Sequence, residues 1–273
     1  MLAGLILAVR EGLEAALVIG IVLGSLRKLQ RPDLFRVVWA GALSAATLSL
    51  ISAILLTSLG AHLEGNAEAI FEGFTMVLAA GVLTWMVFWM HHQSRHIKGE
   101  LEAGVQRAML QNGKRGLFLL SFVSVLREGI ELALFLTAVA LASSDRQTLA
   151  GAALGLGVAA LLGWSLFTAA TRLNLRRFFL ITSALLIFFA AGLVARGVHE
   201  FNEVGWIPPV IEHLWNTNAL VAENSFLGQI CATLFGYNSS PSFTEVLAYL
   251  GFFIAVGIGL RLNAGREPAP QKA

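Results

Sequence analysis

Four stretches of this sequence, Val37 to Ala61, Gly73 to Met90, Gln147 to Thr171 and Phe178 to Ala195, contain no charged residue, and each runs for at least 18 positions. A helix rising 1.5 Å per residue needs about 20 apolar residues to cross a bilayer's hydrocarbon layer. A fifth block, Val246 to Leu260, is lengthened by Phe243 and the lightly polar Thr244. Two more, Leu2 to Leu26 and Gly116 to Ser144, reach span length only if the charges inside them are tolerated. Composition agrees: 56% of residues are apolar and 13% charged, against about a quarter charged in a soluble domain. The expectation is an all-α integral membrane protein with seven transmembrane helices. Arg10 lies inside the apolar core of the first block, where a cleaved leader would carry its positive charge ahead of the core, so this block is read as the first span. The single cysteine, Cys231, excludes an intramolecular disulfide and a thiolate cluster.

The charges set an expected orientation. Basic residues near span ends stay cytoplasmic, and 15 of the 19 fall in alternate connections and the tail: Arg27 to Arg36, Arg95 to Arg115, Arg172 to Arg177, and Arg261 to Lys272. That places the N-terminus outside and the C-terminus inside, the parity that seven spans require. The expected domain is a single transmembrane unit over 1–262, with an outer loop over 201–242, a seventh span over 243–262 and a cytoplasmic tail over 263–273. Between Gln93 and Gly113 a short amphipathic helix is expected near the membrane surface, serving packing or assembly.

The two charged spans carry the chemistry. "REGLEAAL" (Arg10 to Leu17) and "REGIELAL" (Arg127 to Leu134) agree at six of eight positions. The first enters from outside and the second from inside, so spans one to three and four to six (about 1–92 and 116–200) read as inverted repeats. Transporters built this way bind substrate near the midplane. A charge at that depth costs at least about 2.5 kcal/mol. Helical spacing gives a reason for six of them: Glu11 and Glu14, like Glu128 and Glu131, project from one side of their helix, and Arg10–Glu14 and Arg127–Glu131 stand four residues apart, within pairing distance. Ion pairs that only fastened helices together would need one glutamate per motif, not two. Gly12 and Gly129 are expected to let the motif helices approach each other. Four carboxylates then form an oxygen-only site suited to hard cations, and the two arginines lower its repulsion.

These paired Arg-Glu-Gly-Leu/Ile-Glu motifs resemble those of the oxidase-dependent iron permease family, which includes the fungal high-affinity iron permease and, as the closer likeness, bacterial EfeU. The resemblance extends to "FEGFTMVLAAGVLTWMVFWM" (Phe71 to Met90), "TRLNLRRFF" (Thr171 to Phe179) and "FFAAGLVARGVHE" (Phe188 to Glu200). It implies seven spans and iron uptake across the bacterial cytoplasmic (inner) membrane. It also implies iron ligation by Glu11, Glu14, Glu128 and Glu131, with Arg10 and Arg127 as the motif arginines, and partners comprising a periplasmic iron-binding protein and a haem peroxidase or other oxidase. Iron is then the substrate, as Fe²⁺ or Fe³⁺; no permanently bound cofactor and no catalytic residue are expected. Formation of a homo-oligomer stays open.

Secondary candidates lie at span ends. Glu68 and Glu72, with His199, Glu200 and Glu203, are read as an outer site that could collect the ion, against the alternative of helix-end electrostatics and solvated polarity. His91, His92 and His96 at the inner end of span three are read as polar flanking. Gly20 with Gly24, and Gly151 with Gly155, read as helix-packing pairs. No phosphate loop, nucleophile elbow or nucleic-acid surface is present in the sequence. The rival readings are a permease for another cation such as lead or manganese, and a membrane di-iron oxidoreductase. The latter usually needs a Glu-x-x-His that neither motif has.

Overall fold

The computed structural model describes residues 1–93, 97–111, 113–142, 145–167, 175–219, 221–222 and 225–264. Among these the chain is helical with no strand: α1 (Leu2–Lys28), α2 (Phe35–Ala61), α3 (Asn66–Gln93), α4 (Ile97–Gln111), α5 (Gly113–Ala142), α6 (Asp145–Phe167), α7 (Leu175–Glu203), α8 (Phe226–Phe235) and α9 (Phe243–Ala264). Five helices are long and apolar enough to cross a membrane, over Pro32–Gly60, Asn66–Trp89, Gln147–Ser165, Arg177–Glu203 and Phe243–Leu262. α1 and α5 equal them in length but carry the motif charges. The exposed faces fit lipid: Leu43 and Leu55 of α2 are 62% and 63% exposed, and Ile254 and Leu262 of α9 are 64% and 66% exposed. Polar residues on α2 adapt to that setting by satisfying themselves locally. The hydroxyls of Ser44, Thr47, Ser49, Ser52 and Thr57 each donate to the carbonyl four residues earlier, so these five present no free donor to hydrocarbon. The protein is a multi-pass membrane protein.

The chain divides into two compact units, Met1–Glu64 with Met90–Ala184, and Gly65–Trp89 with Leu185–Ala273. In the first, α1 packs along α6, α2 along α5, and α1 against α5. Small residues make the α1–α6 seam. Gly4 meets Thr148 and Ala152, Gly155 meets Leu5 and Ala8, Gly12 meets Ala159, and Gly163 meets Ala16. The positions advance together on both helices, in steps of about four, so α1 and α6 run parallel as a small-xxx-small pair. Gly41 meets Phe118 and Phe122, and Gly129 meets Ser49, so α2 and α5 also run parallel. Leu26 near the end of α1 shares a buried cluster with Leu117 near the start of α5, together with Val22, Val38 and Val105. Hence α1 and α5 run antiparallel. Val105 belongs to α4, the amphipathic helix expected between 93 and 113, and Lys28 pairs with Glu102 at 3.1 Å to tie α4 to the end of α1.

Two sequence expectations about glycine are corrected. Gly12 and Gly129 do not serve the approach of α1 to α5: each is filled by its parallel neighbour, α6 or α2, where a methyl group would collide. Gly24 faces open space: among the described residues nothing lies within 4 Å of a Cβ built there, so that face of the helix is not packed at this position.

In the second unit, α3 and α7 close on each other where Gly73 meets Phe201 and Gly197 meets Val77. Phe74, Phe201 and Trp206 form a ring cluster with centroids 5.4–6.1 Å apart. The stretch 201–242, expected as an outer loop, contains α8. Ser225 caps its N-terminus through Gly228 N–H (2.9 Å), and Gly236 ends it in the left-handed region at φ 66°. A Cβ on Gly192 would lie 2.6 Å from the Gly236 Cα, and Phe235 packs on Phe188 (5.5 Å), so α8 ends against the interior of α7. Gly192 is about 16 Å along α7 from its C-terminal end at 1.5 Å per residue. Ten residues of apolar sequence are too few to span, so their helical character was hidden by length. Phe253 of α9 also packs on Phe188, at 5.3 Å.

The α1–α6 seam predicts an asymmetric response on one helix. Gly155→Leu would drive a side chain into the Leu5 carbonyl, 2.6 Å from the Cβ position, and is expected to lower the melting temperature of the purified protein in detergent by several degrees, since overpacking costs about 1–3 kcal/mol. Gly157→Leu, with nothing within 4 Å, is expected to leave it unchanged.

Candidate metal centre

α1 carries Arg10, Glu11 and Glu14, and α5 carries Arg127, Glu128 and Glu131, all in uninterrupted helix. A mid-helix glycine costs about 1 kcal/mol relative to alanine; Gly12 and Gly129 are tolerated because α6 and α2 occupy the space a side chain would need. Arg10 and Glu11 are wholly enclosed at 0% and 1% exposure, and Glu128 and Glu131 are buried at 8% each. Glu14 and Arg127 are partly buried.

The ion pairs follow the helical spacing and add to it. Arg10 reaches Glu14 at 3.2 Å and Arg127 reaches Glu131 at 3.0 Å, the two i, i+4 pairs expected. Arg10 also donates to Glu11 Oε1 at 2.8 Å, and Arg127 lies 3.8 Å from Glu128 Oε1. Each guanidinium therefore serves both glutamates of its own motif. Across the helices, Glu11, Glu128 and Glu131 each offer a carboxylate oxygen within 4.8 Å of the other two. Glu14 stands outside that triad, held by Arg10. The Oε2 atoms of Glu11, Glu128 and Glu131 are buried and accept no hydrogen bond among the described residues. Buried carboxylate oxygens without donors are costly, and a cation is the partner that satisfies several at once. Three oxygens about 2.1 Å from one first-row divalent ion stand about 3 to 3.6 Å apart, so the triad, with its ligand atoms within 4.8 Å of one another, would draw in by roughly an ångström to hold such an ion.

The candidate outer residues all lie in the second unit. Glu68, Glu72, Glu200 and Glu203 line one cavity of about 410 Å³. His199 is not among its walls. Its Nδ1 bonds Glu245 Oε1 at 2.9 Å, and its Nε2 lies 3.5 Å from Glu203. Glu245 went unnoticed in the sequence, although its signature was there. Ser242 and Glu245 form a capping box: Ser242 N–H donates to Glu245 Oε1 (3.2 Å) and Glu245 N–H to Ser242 Oγ (3.3 Å). With Asn238 Nδ2 on its other oxygen at 2.9 Å, buried Glu245 is an acceptor that fastens the start of α9 to α7. His91 and His92 fall at the end of α3, and His96 lies outside the described residues.

A multi-pass helical protein with a buried, oxygen-only carboxylate cluster between antiparallel helices has the form of a membrane transporter for a metal cation. The chain belongs to the iron permease FTR1 family, whose pattern matches residues 1–263. It is 34% identical over 264 residues to the protein named ferrous iron permease EfeU of Shigella sonnei (strain Ss046), covering 96% of each chain. It is 35% identical over 256 residues to the protein of that name from Escherichia coli O6:K15:H31, covering 93% of each, and 33% identical over 247 residues to that of Yersinia pestis, covering 90% of this chain and 88% of the other. No solved structure matches. The chain is thus an iron permease, a transporter rather than an enzyme, and iron is its transported substrate.

Charge balance at this centre gives a stability test. Removing one member of a buried ion pair costs about 3–5 kcal/mol because the other charge is left unpaired. In metal-free protein, Arg10→Met is expected to be strongly destabilising in thermal melts. Adding Glu11→Gln to it is expected to recover part of the loss. A packing role for Arg10 alone would give no recovery.

Proposed function

We propose that iron crosses the membrane through the centre formed by Glu11, Glu128 and Glu131, with Glu14 as a fourth carboxylate released from Arg10 as the ion enters. The carrying observation is the set of three buried, donorless carboxylate oxygens on residues whose ligand atoms lie within 4.8 Å of one another. Counted as ionised, four glutamates and two arginines carry a formal charge of −2. A divalent ion brings that to zero, the cheapest state in a low-dielectric interior. Fe²⁺ is therefore the proposed form, and the relatives' name, ferrous iron permease, supports it. Entry of the ion loosens the Arg–Glu pairs; its exit restores them.

The proposed topology is seven spans, N-terminus outside, with α1–α2–α3 and α5–α6–α7 as inverted repeats. The pairing of α1 with α6 and of α2 with α5, each parallel, supports it, because exchanging the halves turns one pair into the other. The antiparallel course of α1 and α5 and the sidedness of the basic residues support it too. Glu68, Glu72, Glu200 and Glu203 are the proposed gathering residues, since an acidic cavity concentrates cations. The proposed setting is the bacterial inner membrane, with a periplasmic iron-binding protein and a haem peroxidase or other oxidase as partners.

The test is ⁵⁵Fe uptake into proteoliposomes. Glu128→Ala and Glu131→Ala are expected to abolish uptake, Glu11→Ala to do the same, and Glu14→Ala to reduce it at least tenfold. Wild-type uptake by correctly folded Glu131→Ala protein would remove the centre from the mechanism.

A further inference from the structure

At the N-terminal ends of the parallel helices α2 and α5 lies a trough of about 570 Å³ that transport does not use. Its rim is basic: Arg36 on α2, and Lys114 and Arg115 on α5. Its walls are apolar: Val37, Ala40, Phe118 and Leu119. None of the three cations forms an ion pair within 4 Å among the described residues, and Asp33, within electrostatic reach of Lys114, is itself engaged by Arg31 through two bonds of 3.0 and 3.1 Å. The walls extend away from the rim. One turn beyond Ala40 and Leu119, Leu43 of α2 and Val123 of α5 present exposed apolar surface, and Phe118 stacks on Phe122. A basic rim above an apolar strip matches one kind of molecule: a headgroup with net negative charge joined to a hydrocarbon chain.

We propose that this trough binds an anionic phospholipid, its phosphate held by Arg36, Lys114 and Arg115 and an acyl chain laid along Val37, Ala40, Phe118 and Leu119. Basic pockets at the ends of transmembrane helices recognise anionic headgroups, and the positive ends of two parallel helix dipoles add to the field there. A zwitterionic headgroup would bring its own cation against three others. A soluble phosphate would leave the apolar walls uncovered. The seam closed by this lipid is the one in which Gly41 meets Phe118 and Gly129 meets Ser49, so the occupant braces the helix that carries Glu128 and Glu131. The inference rests on α2 and α5 both spanning the bilayer and is independent of the carboxylate centre.

Native mass spectrometry of the full chain, titrated with phosphatidylglycerol or phosphatidylcholine, tests it. The wild type is expected to retain one phosphatidylglycerol and to prefer it over phosphatidylcholine by roughly a hundredfold, equivalent to about 3 kcal/mol for three basic residues. Arg36→Gln with Lys114→Gln and Arg115→Gln is expected to abolish that preference. Ala40→Phe, which fills the trough and keeps the charges, is expected to weaken phosphatidylglycerol binding about tenfold. Should the triple variant not fold, the single substitutions and the wild-type comparison of the two lipids still decide. Equal binding of both lipids by the wild type, an unchanged preference in the charge variants, or full displacement by glycerol 3-phosphate would overturn the proposal. Iron uptake by the glutamate variants judges the transport reading, whereas this experiment uses protein whose glutamates are intact, so the two failures are distinguishable.

Discussion

Enclosing ionisable side chains within a membrane protein is the constraint on which the rest of this structure depends. Arg10 and Glu11 are sealed from solvent, and Glu128 and Glu131 nearly so. Such charges persist only when compensated. Compensation here is incomplete in a specific way. Each arginine serves the glutamates of its own helix, which satisfies the Oε1 atoms of Glu11 and Glu131 and leaves the Oε2 atoms of Glu11, Glu128 and Glu131 buried without donors. The arginines lower the charge of the centre without filling it.

Helix packing supplies the precision. A carboxylate cluster in which ligand atoms stand within 4.8 Å needs its two carrier helices fixed in rotation and depth. The contact between α1 and α5 does not carry that load alone. α1 is held by α6 along a seam of glycine and alanine, and α5 is held by α2 through Gly41, Ser49 and Gly129. Small residues let backbones approach closely, where dispersion and helix dipoles replace the hydrophobic effect that lipid cannot provide. The motif glycines therefore belong to the scaffold, while the glutamates beside them form the buried carboxylate cluster. At one end of the same unit, α4 and its buried Val105 tie α1, α2 and α5 together, which stiffens the bundle without touching the centre.

Much of this was legible in the sequence because bilayer thickness and helical periodicity are strong, local rules. The charge-free blocks mark five helices, the duplicated motif marks the two charged ones, and i, i+4 spacing marks both Arg–Glu pairs. The amphipathic α4 was legible for the same reason. What escaped depended on neighbours distant in sequence. Nothing in "REGLE" says that Gly12 faces Ala159 rather than α5, or that Arg10 reaches Glu11 as well as Glu14. Gly24, one of a small-xxx-small pair by spacing, meets open space because spacing marks a face but not what covers it. α8 was missed because ten residues fall below span length, although Ser225 and Gly236 are ordinary cap residues at its ends. Glu245 has capping-box spacing but its partner is distant in sequence: it bonds His199 through Nδ1, while Nε2 of the same ring lies 3.5 Å from Glu203.

The central claim is that three buried glutamates from two antiparallel helices hold the transported ion, and anomalous X-ray scattering at the iron edge tests it most directly. Crystals of the protein soaked with Fe²⁺ under reducing conditions should show an anomalous peak bounded by the carboxylates of Glu11, Glu128 and Glu131, with oxygen atoms as its protein ligands. A peak confined to other residues, or none among these three in iron-replete crystals, would contradict the account.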